Sequence, residues 1–227
     1  MSTLFSYCIP FDDGAAPNPF WGVCTLAICK PIIRHKAEIG DWVVGTGSKR
    51  SPIGDISGKV MYAMRLDQMM TMEEYDRYTQ LELPDKIPQM QSADLVRHYG
   101  DSIYDFSTSI PSLRPSVHTK KNRRTDLNGG NVLLSNYFFY FGNQPIALPG
   151  ELRNIVHQQQ GHRRLPHRLA AFVDWIHRLG YQPATLLGNP QMWSQPNFQK
   201  ACAACATGRL QEAEADLEVP DVPCSDS

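Results

Sequence analysis

Apolar positions in this chain form short runs and alternations up to about residue 70, then take helical spacing in later stretches. LFSYCIP, starting at Leu4, reads as a first strand closed by Pro10 and the turn-like Asp12–Gly14. VCTLAICK is an apolar run whose length does not choose between strand and short helix. Pro31 is expected to end it, with a short turn over Lys36–Glu38. GDWVVGTGS is a strand entered through Gly40-Asp41. KRSPIGDISG is a hairpin-like loop, and KVMYAMRLDQMM a further strand that alternates from Val60 to Leu66.

TMEEYDRYTQL predicts a helix with Thr71 as N-cap and Glu74 at the capping-box position, stopping before Pro84. Residues 84–131 are loop-rich and too long for an idle connection, so a functional loop or flap is expected. VLLSNYFFYFG (Val132–Gly142) reads as one central strand. HRLAAFVDWIHRLG sets Leu169, Phe172, Val173, Ile176 and Leu179 at helical spacing, with Gly180 as C-cap. The order of elements predicts an α+β fold built on a small mixed, mainly antiparallel β-barrel with flanking helices. A single domain over 1–195, an appended helix over 196–217 and a disordered acidic tail over 218–227 complete the expected organisation.

Composition changes this picture little. The chain has 227 residues, 42% hydrophobic and 20% charged, enough for a real core. Its net charge of −1 does not announce nucleic acid, but Lys120, Lys121, Arg123 and Arg124 cluster, as do Arg163, Arg164 and Arg168. A local basic patch binds phosphate even in a neutral protein; solvated surface loops are the plainer reading. No apolar run approaches the ~20 residues of a membrane span, and a cytoplasmic protein is expected. The cysteines Cys8, Cys24, Cys29, Cys202, Cys205 and Cys224 are expected as reduced thiols. Neither Cys24/Cys29 nor Cys202/Cys205 has the partner spacing of a zinc knuckle, so no metal is assigned and the cofactor stays unknown.

The candidate chemistry begins in PNPFWGVCTLAICKPIIRHKAEIGDWVVGTGS, residues 17–48, where polar side chains alternate with glycines. Asn18, Thr25, Lys30, Arg34, Asp41, Gly45 and Gly47 are candidates to close around a small polar ligand. Lys30 and Arg34 suit a phosphate, although a surface pair or a bridge to Glu38 explains them equally. Gly45 and Gly47 either admit a planar ligand or permit sharp strand curvature. Asp101 and Tyr104 lie three apart in YGDSIY, and His118 precedes Asp126 by eight, a spacing that allows a proton relay. The aromatics of SNYFFYFG, with Trp21 and Trp42, either stack on a base or pack the core.

APNPFWGVCTLAICKPIIRHKAEIGDWVVGTGSK, VMYAMRLDQMMTMEEY, YGDSIYDF, His118 leading to Asp126, and VLLSNYFFYFG together resemble the bacterial and phage family called nucleotide modification associated domain 2. The resemblance runs from about Leu4 to Trp193. It implies a protein tied to the synthesis or handling of modified nucleobases, without specifying a reaction. The Gly-Asp-strand arrangement is also similar to PUA and EVE barrels, which hold modified bases. Matching positions are Asn18, Thr25, Lys30, Arg34, Asp41, Gly45, Gly47, Asp101, Tyr104, His118, Asp126 and Ser135. The expectation is a nucleotide or DNA-base binder that transfers or hydrolyses a group. His118 would be its acid/base, Asp126 its orienter and Tyr104 a polar contact, with DNA reached through loop 118–124. Two alternatives stand: a reader without chemistry, in which Trp42 or Tyr140 binds the base, and a partner-binding subunit of a phage-related complex.

Overall fold

Two long antiparallel stretches run side by side through this fold and change sheets halfway along. The computed structural model describes residues 2–194. In chain order the regular elements are β1 (Leu4–Ile9), β2 (Cys24–Leu26), α1 (Pro31–Lys36), β3 (Trp42–Gly47), β4 (Lys59–Arg65), β5 (Gln68–Thr71) and α2 (Met72–Leu81). They continue with β6 (Tyr104–Asp105), β7 (Ser112–Leu113), α3 (Arg123–Asn128), β8 (Asn131–Ser135), β9 (Tyr137–Tyr140), β10 (Ile146–Ala147), β11 (His162–Arg164), α4 (Leu169–Arg178) and β12 (Thr185–Leu186). The large sheet has the order β11-β1-β3-β4-β9-β12, with β10 also on β4; the small one has the order β2-β8-β5. β4 pairs β9 in the large sheet, and their continuations β5 and β8 pair in the small one.

The stretches 59–70 and 132–142, each expected as one strand, are therefore two strands apiece. Side chains replace the ladder at the bends. The Asn136 N–H donates to Asp67 Oδ2 at 2.9 Å, and Ser135 Oγ accepts from the Tyr137 N–H at 3.0 Å while donating to the Tyr137 carbonyl at 2.9 Å. Such local Ser and Asp bonds compete with regular pairing and stabilise a corner.

The architecture is mixed α+β. β1–β3 and β9–β12 are parallel pairs within an otherwise antiparallel large sheet. Among the described residues no pairing joins β11 to β12, so the expected barrel closure is not found. Alternation sorts the core. Phe138 and Tyr140 of β9 join Phe5, Tyr7 and Val43 on the face toward the small sheet, while Phe139 joins Leu4, Trp42 and Val44 on the other face.

That second face is covered by α4, which buries Phe172, Trp175 and Ile176. Burial of a side chain the size of Phe172 contributes about 1.5–3 kcal/mol. Gly180 takes φ +75 and donates to the His177 carbonyl at 3.0 Å, ending α4 where its composition predicts. The opposite face of β8, through Val132 and Leu134, meets α2 and the 99–104 loop by way of Met72, Tyr75, Tyr99 and Tyr104. The capping box forms as expected: Thr71 Oγ1 accepts from Glu74 N–H at 3.1 Å and Glu74 Oε2 accepts from Thr71 N–H at 2.7 Å.

Pro31 opens a helix instead of ending an element. It occupies the first helical position of α1, where its missing N–H costs nothing. The long connection 84–131 is folded down by three short 3-10 turns, the β6–β7 hairpin and α3. The expected appended helix and acidic tail lie outside the described residues. Among the described residues, no helix is long and apolar enough to cross a membrane.

Candidate functional site

The turn between β2 and α1 takes four residues, Ala27 to Lys30. Cys29 takes φ +59 and Lys30 φ +41, two consecutive left-handed residues without glycine. Each such residue costs of order 1–3 kcal/mol unless its surroundings hold it. The holding groups are charged. Asp126 Oδ1 accepts from the Cys29 N–H at 3.1 Å, and Arg34 Nη1 donates to the Cys29 carbonyl at 3.2 Å. Arg34 is itself locked, donating through Nε to the Asn131 carbonyl at 2.7 Å and through Nη2 to Met72 Sδ at 3.1 Å. It is fully buried, and burial lowers its pKa to about 10. Every guanidinium nitrogen of Arg34 thus donates to protein, and it shapes the turn from inside.

Asp126 comes from α3 and His118 from the segment just before it, which a capping box between Thr119 and Asn122 pins down. Asp126 Oδ2 accepts from His118 Nδ1 at 2.7 Å and from Tyr104 Oη at 2.9 Å. Both side chains of the His118–Asp126 pair are 1% exposed. With Nδ1 committed to the carboxylate, the Nε2 edge faces Cys29, whose Sγ lies 3.7 Å away. Burial works against a charged imidazole here, but Asp126 and the neighbouring thiol outweigh it and raise the His118 pKa to about 10. Burial would likewise raise Asp126, and the charge and hydrogen bond of His118 bring it below its ordinary value. The phenol of Tyr104 is pushed up by burial and by the Asp126 charge.

A second buried network forms around Asn18, Thr25 and Asp101. Lys86 Nζ donates to Asn18 Oδ1 at 2.6 Å, the Val23 carbonyl at 2.8 Å and Thr25 Oγ1 at 2.8 Å. Thr25 Oγ1 in turn donates to Asp101 Oδ2 at 2.5 Å, and Tyr75 Oη donates to Asp101 Oδ1 at 2.6 Å. Asn18 Nδ2 donates to the Tyr99 carbonyl at 2.7 Å. Burial lowers the Lys86 pKa to about 8, against the pull of Asp101, and raises that of Asp101. These bonds tie the start of the 84–104 loop to β2 and α2, and so carry Tyr104 toward Asp126.

The remaining sequence candidates make other contacts. Asp41 accepts from Thr3 N–H at 2.6 Å and Glu38 N–H at 2.9 Å, joining β1 to β3. A β-carbon on Gly45 would stand 2.3 Å from Ile9 Cδ1, and one on Gly47 2.4 Å from the Ile56 carbonyl oxygen, so the protein's own packing fills the space beside both glycines. Ser135 holds the β8–β9 corner, and Lys30 Nζ lies 5.0 Å from the centroid of the Tyr7 ring. Trp42 and Tyr140 belong to the core, at 4% and 0% exposure. Lys120, Lys121, Arg123 and Arg124 line a shallow concavity of about 470 Å³ with Leu127 and Asn128. It sits on the segment that supplies Asp126, and neither Lys30 nor Arg34 reaches it.

Cys29, Lys86 and Tyr75 are the central residues that sequence reasoning passed over. For Cys29 the available signal was the short apolar run stopped by Lys30-Pro31, a strand-to-helix turn in outline. Donor atoms of Cys29, His118 and Asp126 all lie within 4.8 Å of one another. Asp126, however, spends its oxygens on three protein donors, leaving Sγ and Nε2, fewer than the four ligands of a structural zinc or the three of a catalytic one. Cys24 is different: it is buried in the core, which pushes its thiol up to about 12. A family model described as nucleotide modification associated domain 2 matches residues 1–197. No curated protein and no solved structure matches the chain.

Proposed function

Because this chain belongs to the nucleotide modification associated domain 2 family, we propose that it binds a nucleotide, or a nucleobase in DNA, and transfers or hydrolyses a group on it. His118 is the acid/base of that reaction. One observation carries the reading: a buried imidazole bonded at 2.7 Å through Nδ1 to a buried carboxylate, with its other nitrogen turned away from that partner. A fixed ring orientation and a raised pKa give a charged imidazolium with an Nε2–H to deliver to a leaving atom at neutral pH. Tyr104 supports the role from behind by occupying the same Asp126 oxygen. The cations lining the neighbouring concavity offer phosphate contacts that a nucleotide or a DNA backbone would use.

The test is a thermal-shift screen of nucleotides, modified nucleosides and modified DNA, followed by mass spectrometry of products from each ligand that raises the melting point. His118→Ala is expected to abolish turnover while ligand affinity stays within about threefold, since acid–base catalysis is worth roughly 10²–10⁴-fold in rate and little in binding. Retained turnover in that variant would overturn the assignment.

A further inference from the structure

We propose that Cys29 is a covalent nucleophile that attacks a carbonyl group carried on the nucleotide, forming a thioester with the chain. For its substrate the inference rests on the nucleotide reading above. For its chemistry it rests on the arrangement of Cys29, His118 and Asp126, which forms a nucleophile, a base and an orienter in contact order. Sγ is 3.7 Å from His118 Nε2, and Nδ1 of the same ring is 2.7 Å from Asp126 Oδ2. Thiol–imidazole contacts of this length are common before substrate tightens them. Cys29 lies 89 positions from His118 in the chain, so helical or strand periodicity does not account for its meeting with the His118–Asp126 pair.

The backbone is the second observation. Cys29 sits on a sharp strand-to-helix turn with a left-handed φ of +59, and glycine would adopt that conformation without strain. A turn of this kind lifts a side chain clear of the sheet, the device by which hydrolases present a nucleophile. Cys29 is partly exposed, whereas His118 and Asp126 beneath it are buried. The other described thiols lack these features: Cys24 is in the core, and Cys8 Sγ contacts the Gly47 carbonyl at 3.9 Å.

The chemistry closes without an oxidant or a metal. The proton shared by the pair rests on His118 Nε2, and Sγ attacks the carbonyl carbon, pushing the C=O electron pair onto oxygen. Collapse of that adduct expels an amine or alkoxide, which takes the proton from Nε2. A thioester remains on Cys29. Water or an acceptor amine then attacks it, His118 Nε2 receives the attacking group's proton, the C–S bond breaks, and the starting sulfur–imidazolium pair is restored.

The test treats the full chain with p-nitrophenyl acetate and, separately, with iodoacetamide, and maps modified peptides by mass spectrometry. Cys29 is expected to gain one acetyl group and to alkylate at least about tenfold faster than Cys8 at pH 6, because His118 Nε2 lies 3.7 Å from its sulfur. His118→Gln should erase that advantage at Cys29 and leave Cys8 unchanged. Cys29→Ser should lose turnover of any nucleotide found by the screen, with its melting point retained. Equal labelling of Cys29 and Cys8 would overturn the nucleophile, and so would a stoichiometric zinc complex that blocks alkylation of Cys29. The two readings fail separately. Slow labelling with turnover lost in His118→Ala removes the nucleophile alone. Fast, His118-dependent labelling with turnover intact in His118→Ala removes His118 as the acid/base of the nucleotide reaction and leaves the reactive thiol.

Discussion

The Cys29 amide and the Asp126 carboxylate, 97 positions apart in sequence, meet at 3.1 Å. One carboxylate therefore fixes both the strained turn and, through its other oxygen, the imidazole of His118. The turn cannot relax without loosening the ring, and the ring cannot rotate without giving up the acceptor that defines its tautomer.

Asp126→Asn separates geometry from charge. The amide retains one oxygen, which can serve Cys29 N–H or His118 Nδ1–H but not both from the positions the carboxylate uses. Turnover is expected to fall by about 10²–10⁴, the range for loss of an oriented acid–base group. The His118 titration, followed by its ring NMR signals, should move down from about 10. An unchanged titration would mean that Asp126 does not set the charge state of the ring.

The pH dependence of stability follows from the same pair. The folded-state pKa of His118, about 10, lies above its ordinary value of about 6.5. Its contribution is therefore complete below about pH 6.5 and is lost as pH rises through about 10. Urea unfolding at intervals between those limits should show the wild type losing stability relative to His118→Gln. Parallel curves for the two proteins would contradict the shift.

Gly129→Ala tests the wall behind the turn. The backbone there is ordinary, but a β-carbon would stand 2.5 Å from Arg34 Cζ, and Arg34 has no room to yield because its donors hold Asn131, Cys29 and Met72. Overpacking of this kind costs about 1–3 kcal/mol. Chemical denaturation should register that loss, together with slower modification of Cys29 by iodoacetamide.

Lys86→Met removes the buried cation that Asn18, Val23 and Thr25 surround. The variant leaves those acceptors without the ammonium donor, and Asp101, still bonded to Thr25 and Tyr75, without its nearby positive charge. Breaking a buried charged network by deleting one member costs about 3–5 kcal/mol. A fall in denaturation midpoint of that order, with protease cleavage appearing first in the 84–104 loop, is the expected result. An unchanged midpoint would mean that the network does not hold the loop.

Local chemistry was legible wherever the responsible residues are neighbours. The helix from Met72 shows its capping box as Thr71 and Glu74, and α4 shows its buried face in the spacing of Phe172 and Ile176. His118 and Asp126, eight apart, could be paired from sequence because α3 and its preceding turn span that distance. The polar residues of the 17–48 stretch looked like one cluster because they are close in the chain. In space they serve three purposes: Asn18 and Thr25 anchor a loop, Asp41 joins two strands, and Arg34 braces the turn at Cys29.

By itself the sequence determined the mixed α+β class, the placing of α2 and α4, and the family, because periodicity, caps and long ordered motifs are properties of neighbouring residues. Tertiary structure alone decided that two strands bend from one sheet into another and that Cys29 stands over His118. Both depend on contacts between residues distant in the chain: Asp67 with Asn136 at the bend, and Cys29 with Asp126 and His118 at the turn. Hydrogen bonds of that range are selected by the packing of whole elements, and no local pattern of residues encodes their partners.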